Sequence, residues 1–492
     1  MTFPVVVALL FELVVIAVIT SVFTLFFFVL WITLSSYFIS LGYIVVVWIA
    51  FLFTLVSIIG SGNHRMPTPE KKRKRKEKFV VIIGAGFSGL CAAIRLKKER
   101  VRFILIEKSG DLGGTWLDNK YPGSGCDIYS LFYCFSFKPN TFSSSTYLSQ
   151  EEIKSYLDDT CDHYGIREHM KFNSKVERCH FDDVTKTWKV ETSTGDEYMC
   201  NFIVSGIGAL HIPQIPDIKG KVDFQGLQFH TAQWNTEFDW TGKRVGVIGT
   251  GCSAIQSVPK LADSCKELHV FQRSPTWIIP MLKLKHYPLF QNCLHRFPIF
   301  MQLFRAYIFL RQELLFKMVF KRGSNGNKLF QKIFTWVMKQ QIADESLQQH
   351  LVPQYEVGSK RIAISNSYLA TFNKKDKVHL VTGKIVEITS NSIVVIKNKD
   401  VSSTSSKVPG DTLEEIELDA IVYATGFDVL NSLKNVDIKR PGDHKSLQDL
   451  WEDLPNAYQG LMVPGFPNYF MLMGPSTVLG KCVWFSVRSY FR

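Results

Sequence analysis

The first sixty residues carry one hydropathic pattern and the rest of the chain another. From Val5 to Ile59 the only charged residue is Glu12. A continuous helix of that length would run about 80 Å, against a hydrocarbon core of about 30 Å. One span is too few and two fit. The pattern therefore predicts a membrane hairpin over 1–60, with spans near Leu13–Thr33 and Tyr43–Ile59 and a break in the more polar Ser35–Gly42. Glu12 then sits at an interface rather than in mid-bilayer, where a carboxylate is costly. A cleaved signal peptide fits poorly, because the apolar run is too long and has no basic leader.

Beyond the hairpin, strand-like and helix-like stretches alternate. Two β-branched runs, Val80–Ile83 and Val245–Ile248, each lead into a helix-compatible stretch (LCAAIRL; AIQSVPKLA) and then a second strand (RFILIE; ELHVFQR). Further strand-like runs fall at WKVETS and NFIVSGIG, and SSTSS near Ser402 reads as a polar loop. From about 281 to 349 the chain is apolar, aromatic and basic at helical spacing, as in FMQLFRAYIFLRQELLFKMVF. That predicts a helical insert packed on the second unit. A membrane-grazing surface is the sharper reading, since an aromatic, basic helix suits an anionic interface.

The turns after the two β-branched runs are glycine-rich. The first reads VVIIGAGFSG, with Gly84, Gly86 and Gly89 at G-x-G-x-x-G spacing, and its second strand ends on Glu107, 23 residues after Gly84. The second reads RVGVIGTGCSA, with Gly249, Gly251 and Ala254 as the G-x-G-x-x-A variant and Ser253 inside it; its second strand ends on Arg273, 24 residues after Gly249. Such glycines bring backbone N–H groups and a helix N-terminus against a pyrophosphate. A carboxylate at the end of the second strand suits two ribose hydroxyls, and an arginine suits a ribose 2′-phosphate. One such motif alone is a weak signal. Two, each in strand–turn–helix–strand context, predict an α/β fold of two interleaved Rossmann-like dinucleotide-binding domains, one for FAD and one for NADP. That is the equipment of a flavin-dependent oxidoreductase.

Composition adds location rather than chemistry. A hydrophobic content of 46% and a charged content of 21% describe a mostly globular chain. The formal net charge of +13 is uneven: Lys71 to Lys78 holds seven bases against one acid. Directly after an apolar hairpin, such a run reads as a solvated juxtamembrane linker, and the positive-inside rule puts the residues beyond it in the cytosol. No nucleic acid is expected as partner; the lipid bilayer is. The ten cysteines are scattered singly, with no C-x-x-C, which suits a reducing compartment and disfavours a flavin disulfide reductase. No metal is expected.

Two further stretches carry a family resemblance. The first is GGTWLDNKYPGSGCD, with Gly113, Gly114, Thr115, Trp116, Tyr121, Pro122, Gly123 and Asp127; the second is FQGLQFHTAQW, with Phe224, Gly226, His230 and Trp234. They resemble the fingerprints of Baeyer–Villiger monooxygenases within the wider flavin-containing monooxygenase family. The first matches at every specified position, and the second matches except at its end, where Asn235 stands for Pro or Asp. Trp234 favours the Baeyer–Villiger branch over the N- and S-oxygenating branch. The resemblance covers roughly Phe79 to Gly480. It implies an order of membrane hairpin (1–60), basic linker (61–78), a first FAD-binding segment (79–222), the NADP-binding domain with the helical insert (223–378) and a second FAD-binding segment (379–492).

The resemblance also implies roles. Arg361, in VGSKRIAISNS, falls on the catalytic arginine, with Asp127 to hold and tune it. Lys360, Arg273 and Ser274 fall on contacts to the NADP 2′-phosphate. Thr425 and Gly426, in IVYATGFD, fall where the chain returns to the flavin domain. Phe224, Gly226, His230 and Trp234 would couple the domains, with His230 a structural rather than an acid–base group. NADPH would reduce FAD, the reduced flavin would add O2 to give a C4a-peroxyflavin, and that species would insert oxygen into a small lipophilic substrate, turning a ketone into an ester or lactone. Oxygenation at N or S is the nearest alternative. A catalytically inactive membrane-bound binding protein is the alternative of another class, because the chain ends at CVWFSVRSYFR where the family continues into a helical tail. The membrane expected is that of the endoplasmic reticulum, with the catalytic domains cytosolic.

Overall fold

The computed structural model describes residues 78–396, 412–442, 445–452, 454–475 and 477. The expected hairpin, nearly all of the basic linker and the segment after 477 lie outside the described residues. Among the described residues no helix is long and apolar enough to cross a membrane.

Two parallel five-stranded sheets carry the glycine loops. In the first, β1 (Phe79–Ile83), β2 (Arg102–Ile106), β3 (Met170–Lys171), β7 (Phe202–Ser205) and β19 (Tyr469–Met471) lie in the order β19-β7-β1-β2-β3. In the second, β8 (Leu227–His230), β9 (Arg244–Ile248), β10 (Glu267–Phe271), β13 (Val378–Val381) and β17 (Ala420–Tyr423) lie in the order β13-β10-β9-β17-β8. The central strands of both are near-continuous apolar runs because helices or a second sheet cover both faces. Helix α1 (Phe87–Lys98) follows β1, α2 (Thr115–Asp118) and α3 (Gln150–His163) lie between β2 and β3, and α4 (Cys252–Ser264) follows β9.

Smaller sheets cover the outer faces. Strands β4 (Val176–Asp182), β5 (Thr187–Thr192), β6 (Glu197–Cys200) and β18 (Asp437–Lys439) pack on the first sheet around Trp188, which is fully buried and donates from Nε1 to the Pro467 carbonyl at 2.8 Å. Strands β14 (Lys384–Ile388), β15 (Ser392–Ile396) and β16 (Leu413–Glu417) close over the second sheet through Phe271, Val381, Ile393, Ile416 and Ile421. A two-stranded pair, β11 (Ile278–Ile279) and β12 (Ala363–Ile364), brackets the helical segment.

Two readings of the sequence differ from what is observed. The chain does not leave the second unit at 379: β14 to β17 all belong to it, and β17 sits between β9 and β8. The four residues of β17 are all buried, and an apolar run covered on both faces looks the same in either sheet. Nor does the helical segment pack on the second unit alone. It forms α5 (Pro288–Arg296), α6 (Pro298–Val319) and α7 (Asn325–Lys339). Leu294, Met301 and Ile308 join the core of the first unit, whereas Leu315, Val319, Phe330 and Phe334 join that of the second. Arg305 of α6 donates to the Leu131 carbonyl at 2.9 Å and lies over the Phe132 ring. Helix α6 therefore bridges both units, which requires apolar residues on more than one of its faces.

The chain passes between the units twice, after β7 and after β17, and the two passages run side by side. Gln214 N–H donates to the Gly426 carbonyl at 2.9 Å and Asp428 N–H to the Ile212 carbonyl at 2.9 Å, around an antiparallel bridge from Pro213 to Phe427. His211 lies in the first passage, 3.2 Å by Nδ1 from the Gly208 carbonyl. Burial, with Lys108 nearby, pushes its pKa down to about 4. The unfolded chain takes up this proton near pH 6.5, well above the folded value. Stability is therefore full above about pH 6.5 and falls as pH drops towards 4. Denaturant titrations between pH 7 and 4 should show this loss, and His211→Gln, which keeps a donor for Gly208, should flatten it.

Candidate functional site

Each glycine loop is built from steric necessity. Gly84 has φ +94°, and a Cβ there would stand 2.8 Å from the Gly206 carbonyl oxygen; a Cβ on Gly89 would stand 1.8 Å from the Gly84 oxygen. Gly249 has φ +116°, and its Cβ would meet the Ala424 oxygen at 2.4 Å. These close approaches press α1 and α4 onto their sheets. Both helices begin at a glycine, Gly86 and Gly251, with no side-chain cap, whereas Ser149 forms a full capping box on α3. Uncapped first-turn N–H groups suit a phosphate. A Cβ on Gly251 would meet nothing within 4 Å, so the space in front of that helix is open.

Glu107 is buried at the end of β2. Its Oε2 accepts from Ala85 N–H at 2.7 Å and its Oε1 from Ser109 N–H at 2.9 Å. The carboxylate is thus fixed under the first loop by two donors. Gly113 N–H donates to the Ala85 carbonyl at 3.0 Å, and a Cβ on Gly114 would come 3.1 Å from Gly86 Cα. The stretch that begins at Gly113 therefore lies on the first glycine loop, glycine against glycine. Thr115 opens α2, and Trp116 is buried with its Nε1 donating to Tyr133 Oη at 3.0 Å.

From there the chain reaches across to α4. Tyr121 Oη donates to Gln256 Oε1 at 2.7 Å, and Gln256 Nε2 donates to the Gly125 carbonyl at 2.9 Å. Gly123 has φ +83° and packs so tightly that its Cβ would stand 2.5 Å from the Gln256 carbonyl oxygen. Ser253, on the first turn of α4, stands beside the Tyr121 hydroxyl. Two residues past Gly125, Asp127 Oδ2 accepts from Arg361 Nη2 at 2.6 Å. The arginine side chain is 44% exposed and the aspartate 13%. Burial works against the guanidinium charge, but the Asp127 carboxylate, through its charge and its hydrogen bond, helps to outweigh it, and the pKa is raised. Burial also raises the pKa values of the Cys126 and Cys252 thiols, so they stand neutral beside this pair.

The second loop has its own cationic corner. Lys360 Nζ donates to Ser274 Oγ at 2.8 Å and lies over the Tyr355 ring. Thr250 Oγ1 donates to the Ser274 carbonyl at 3.0 Å, and Arg273, between Ser274 and the end of β10, is exposed. Ser274 and Lys360 thus stand beside the Gly249–Gly251 turn, with Arg273 next to Ser274 in the chain. Thr425 Oγ1 donates to the Gln214 carbonyl where the chain crosses back, and Gly426, at φ +82°, accepts from Gln214.

Of the four remaining predicted residues, His230 lies against the crossing and the other three pack within the second unit. His230 is fully buried, its Nδ1 accepts from Ala232 N–H at 3.1 Å, and its ring meets Phe427 edge-on. Its Nε2 has no hydrogen-bond partner. Burial lowers its pKa, with the Gly426 backbone pulling the other way. Phe224 is buried, and a Cβ on Gly226 would strike the Asp419 oxygen at 2.5 Å and the Phe224 ring. Trp234 packs on Phe229 and Trp240. Sequence reasoning missed Gln256, which holds the bridging loop. It lies one turn beyond Cys252 on α4, and only its helical phase marks it.

Gly89→Ala and Gly251→Ala should separate folding from binding. The first has no room for a methyl and should lower stability by about 1–3 kcal/mol or more. At Gly251 the backbone is extended and the space open, so thermal stability should stay unchanged while the affinity for NADP falls. Thermal melts and NADP titrations on the two variants check both.

Comparison with known proteins agrees with this geometry. Residues 81–294 match the family described as Pyridine nucleotide-disulphide oxidoreductase. A Baeyer-Villiger monooxygenase of Pseudomonas aeruginosa is 36% identical over 84% of this chain and 75% of its own length. A second, from Streptomyces coelicolor, is 35% identical over 82% and 74%. Among solved structures, an oxidized steroid monooxygenase bound to NADP superimposes with a TM-score of 0.72 at 29% identity, over 84% of this chain and 83% of that one. The OTEMO complex with FAD and NADP superimposes with a TM-score of 0.71 at 28% identity, over 83% and 82%. With 36% identity to one such enzyme over most of both lengths, the chain belongs to the Baeyer–Villiger monooxygenase family of oxidoreductases.

Proposed function

We propose that this FAD- and NADPH-dependent monooxygenase inserts one oxygen atom of O2 into a lipophilic ketone, giving an ester or lactone. The observation that carries the reading is the Arg361–Asp127 contact of 2.6 Å at the seam between the two glycine loops. Bound FAD, reduced by NADPH, supplies the oxygen-activating chemistry. The residues here supply position and charge. The backbone of Gly84–Gly89 and the start of α1 would hold the flavin's pyrophosphate, with Glu107 toward its adenosine ribose and the 113–127 loop beside it. The Gly249–Ser253 turn would hold the nicotinamide dinucleotide, with Arg273, Ser274 and Lys360 toward its 2′-phosphate. Arg361 keeps its proton at any working pH and donates in a fixed fork, which suits negative charge on an oxygen that attacks a carbonyl. Asp127, more deeply buried than its partner, orients that fork.

Anchoring to a bilayer belongs to the same reading. The near-absence of charge from Val5 to Ile59 and the basic run after it support a hairpin with the catalytic domains in the cytosol, at the endoplasmic reticulum. Exposed Leu289, Phe297, Phe300, Leu303 and Phe304 on and beside α5 and α6 offer a second apolar contact with the leaflet.

Arg361→Ala should leave the rate of flavin reduction by NADPH within a factor of about three and lower ester formation from a cyclic ketone by about 100-fold or more. Stopped-flow absorbance and product chromatography measure the two. Ester formation that survives the change removes Arg361 from the chemistry, and a native enzyme that oxygenates an added sulfide or tertiary amine while giving no ester from any ketone belongs to the other branch. For the anchor, alkaline carbonate should leave the full chain in the membrane pellet and release a chain lacking 1–60; release of the full chain argues against the hairpin.

A further inference from the structure

Away from the glycine loops, on the outer face of the second sheet, Glu267, His269 and His379 converge. His269 and His379 are register partners on adjacent parallel strands, β10 and the edge strand β13, and their rings stack at 4.8 Å with a 28° tilt. Glu267 lies two residues before His269 and so shares its face; its Oε2 is 3.6 Å from His269 Nε2. The candidate ligand atoms of all three lie within 4.8 Å of one another. The next residues on this face, Phe271 and Val381, enter the apolar layer under β14–β16. Burial lowers the His269 pKa, while Glu267 and Glu414 of β16 lie near enough to pull the other way. The trio thus sits at the mouth of a two-sheet layer, walled by hydrocarbon on one side and open on the other, and none of its members takes part in the reaction proposed above.

We propose that Glu267, His269 and His379 form a binding site for a divalent transition metal ion of the zinc class, which clips edge strand β13 to β10. Two imidazole nitrogens and one carboxylate oxygen are a donor set that Zn2+ takes, with a fourth position left for water or Glu414. Tetrahedral zinc holds its ligand atoms about 3.3 Å apart, so small side-chain rotations close the present spacing. The ion would bind at the start of β10, and Arg273 follows the strand's other end. Its role is therefore structural rather than catalytic.

The FAD-loaded full chain, stripped with chelator and dialysed against micromolar Zn2+, tests this directly. The native protein should retain one Zn2+ per chain by elemental analysis and melt at least about 2 °C higher than its stripped form. His269→Gln and His379→Gln should each weaken retention by more than about 100-fold, since the loss of even an outer partner costs 10–100-fold, and both should abolish the thermal shift. The milder Glu267→Gln and the remote, exposed His163→Gln guard against misfolding and adventitious binding: the first should lose zinc with flavin content intact, the second should keep it. Equal zinc in the native protein and the His269→Gln/His379→Gln double variant overturns the site, as does retention of none by the native protein.

Discussion

The hydrogen bond from Tyr121 to Gln256, returned by the Gln256 amide to the Gly125 carbonyl, fixes where the two glycine loops stand relative to each other. The loop that makes it is pinned at both ends. At Gly113 and Gly114 it lies on the first nucleotide turn, and at Gly123 its backbone is against α4 of the second. Neither end tolerates a side chain, so the loop cannot shift along either surface without a clash. Asp127 lies two residues past Gly125 of this clamped segment, and Arg361, beyond the helical segment in the chain, meets it. The charge pair is thus aimed by backbone packing, not by its own attraction, which is small at a partly exposed position.

The remainder of the architecture can be seen as support for that clamp. Helix α6 enters both apolar cores, through Met301 and Ile308 on one side and Leu315 and Val319 on the other. Each fully buried aliphatic side chain adds about 1.5–3 kcal/mol, so the shared helix stabilises the relation between the units as well as each unit. Arg244 adds a smaller tie at the opposite end of the second sheet, pairing with Glu417 and with Asp419 at 3.0 Å.

The nucleotide-binding halves were legible because their signals are local. Glycine spacing, β-branched runs and a charge at a strand end all lie within about 25 residues of one another, and the residues they marked gather beside two uncapped helix starts. The partners Arg361 and Asp127 are 234 positions apart, and no periodicity links them; only the family resemblance joined them in advance. The sheet to which β17 belongs was misread for a related reason. A strand buried on both faces carries no mark of which sheet it enters, and its partners appear only in the register of β17 against β9 and β8. Gln256 went unnoticed because an amide on a helix is ordinary until something docks on it.

The side-by-side passages at 212–214 and 426–428 have a mechanical meaning. A body joined to another by one strand can turn freely, and by two distant strands hardly at all. Two strands hydrogen-bonded to each other at one place leave a single easy axis, running through the pair. Rotation about it would lengthen neither passage. The cost of such rotation falls instead on contacts far from the axis, the clamp at Gln256 and the α6 side chains seated in both cores, so those contacts set how long the two bodies stay face to face.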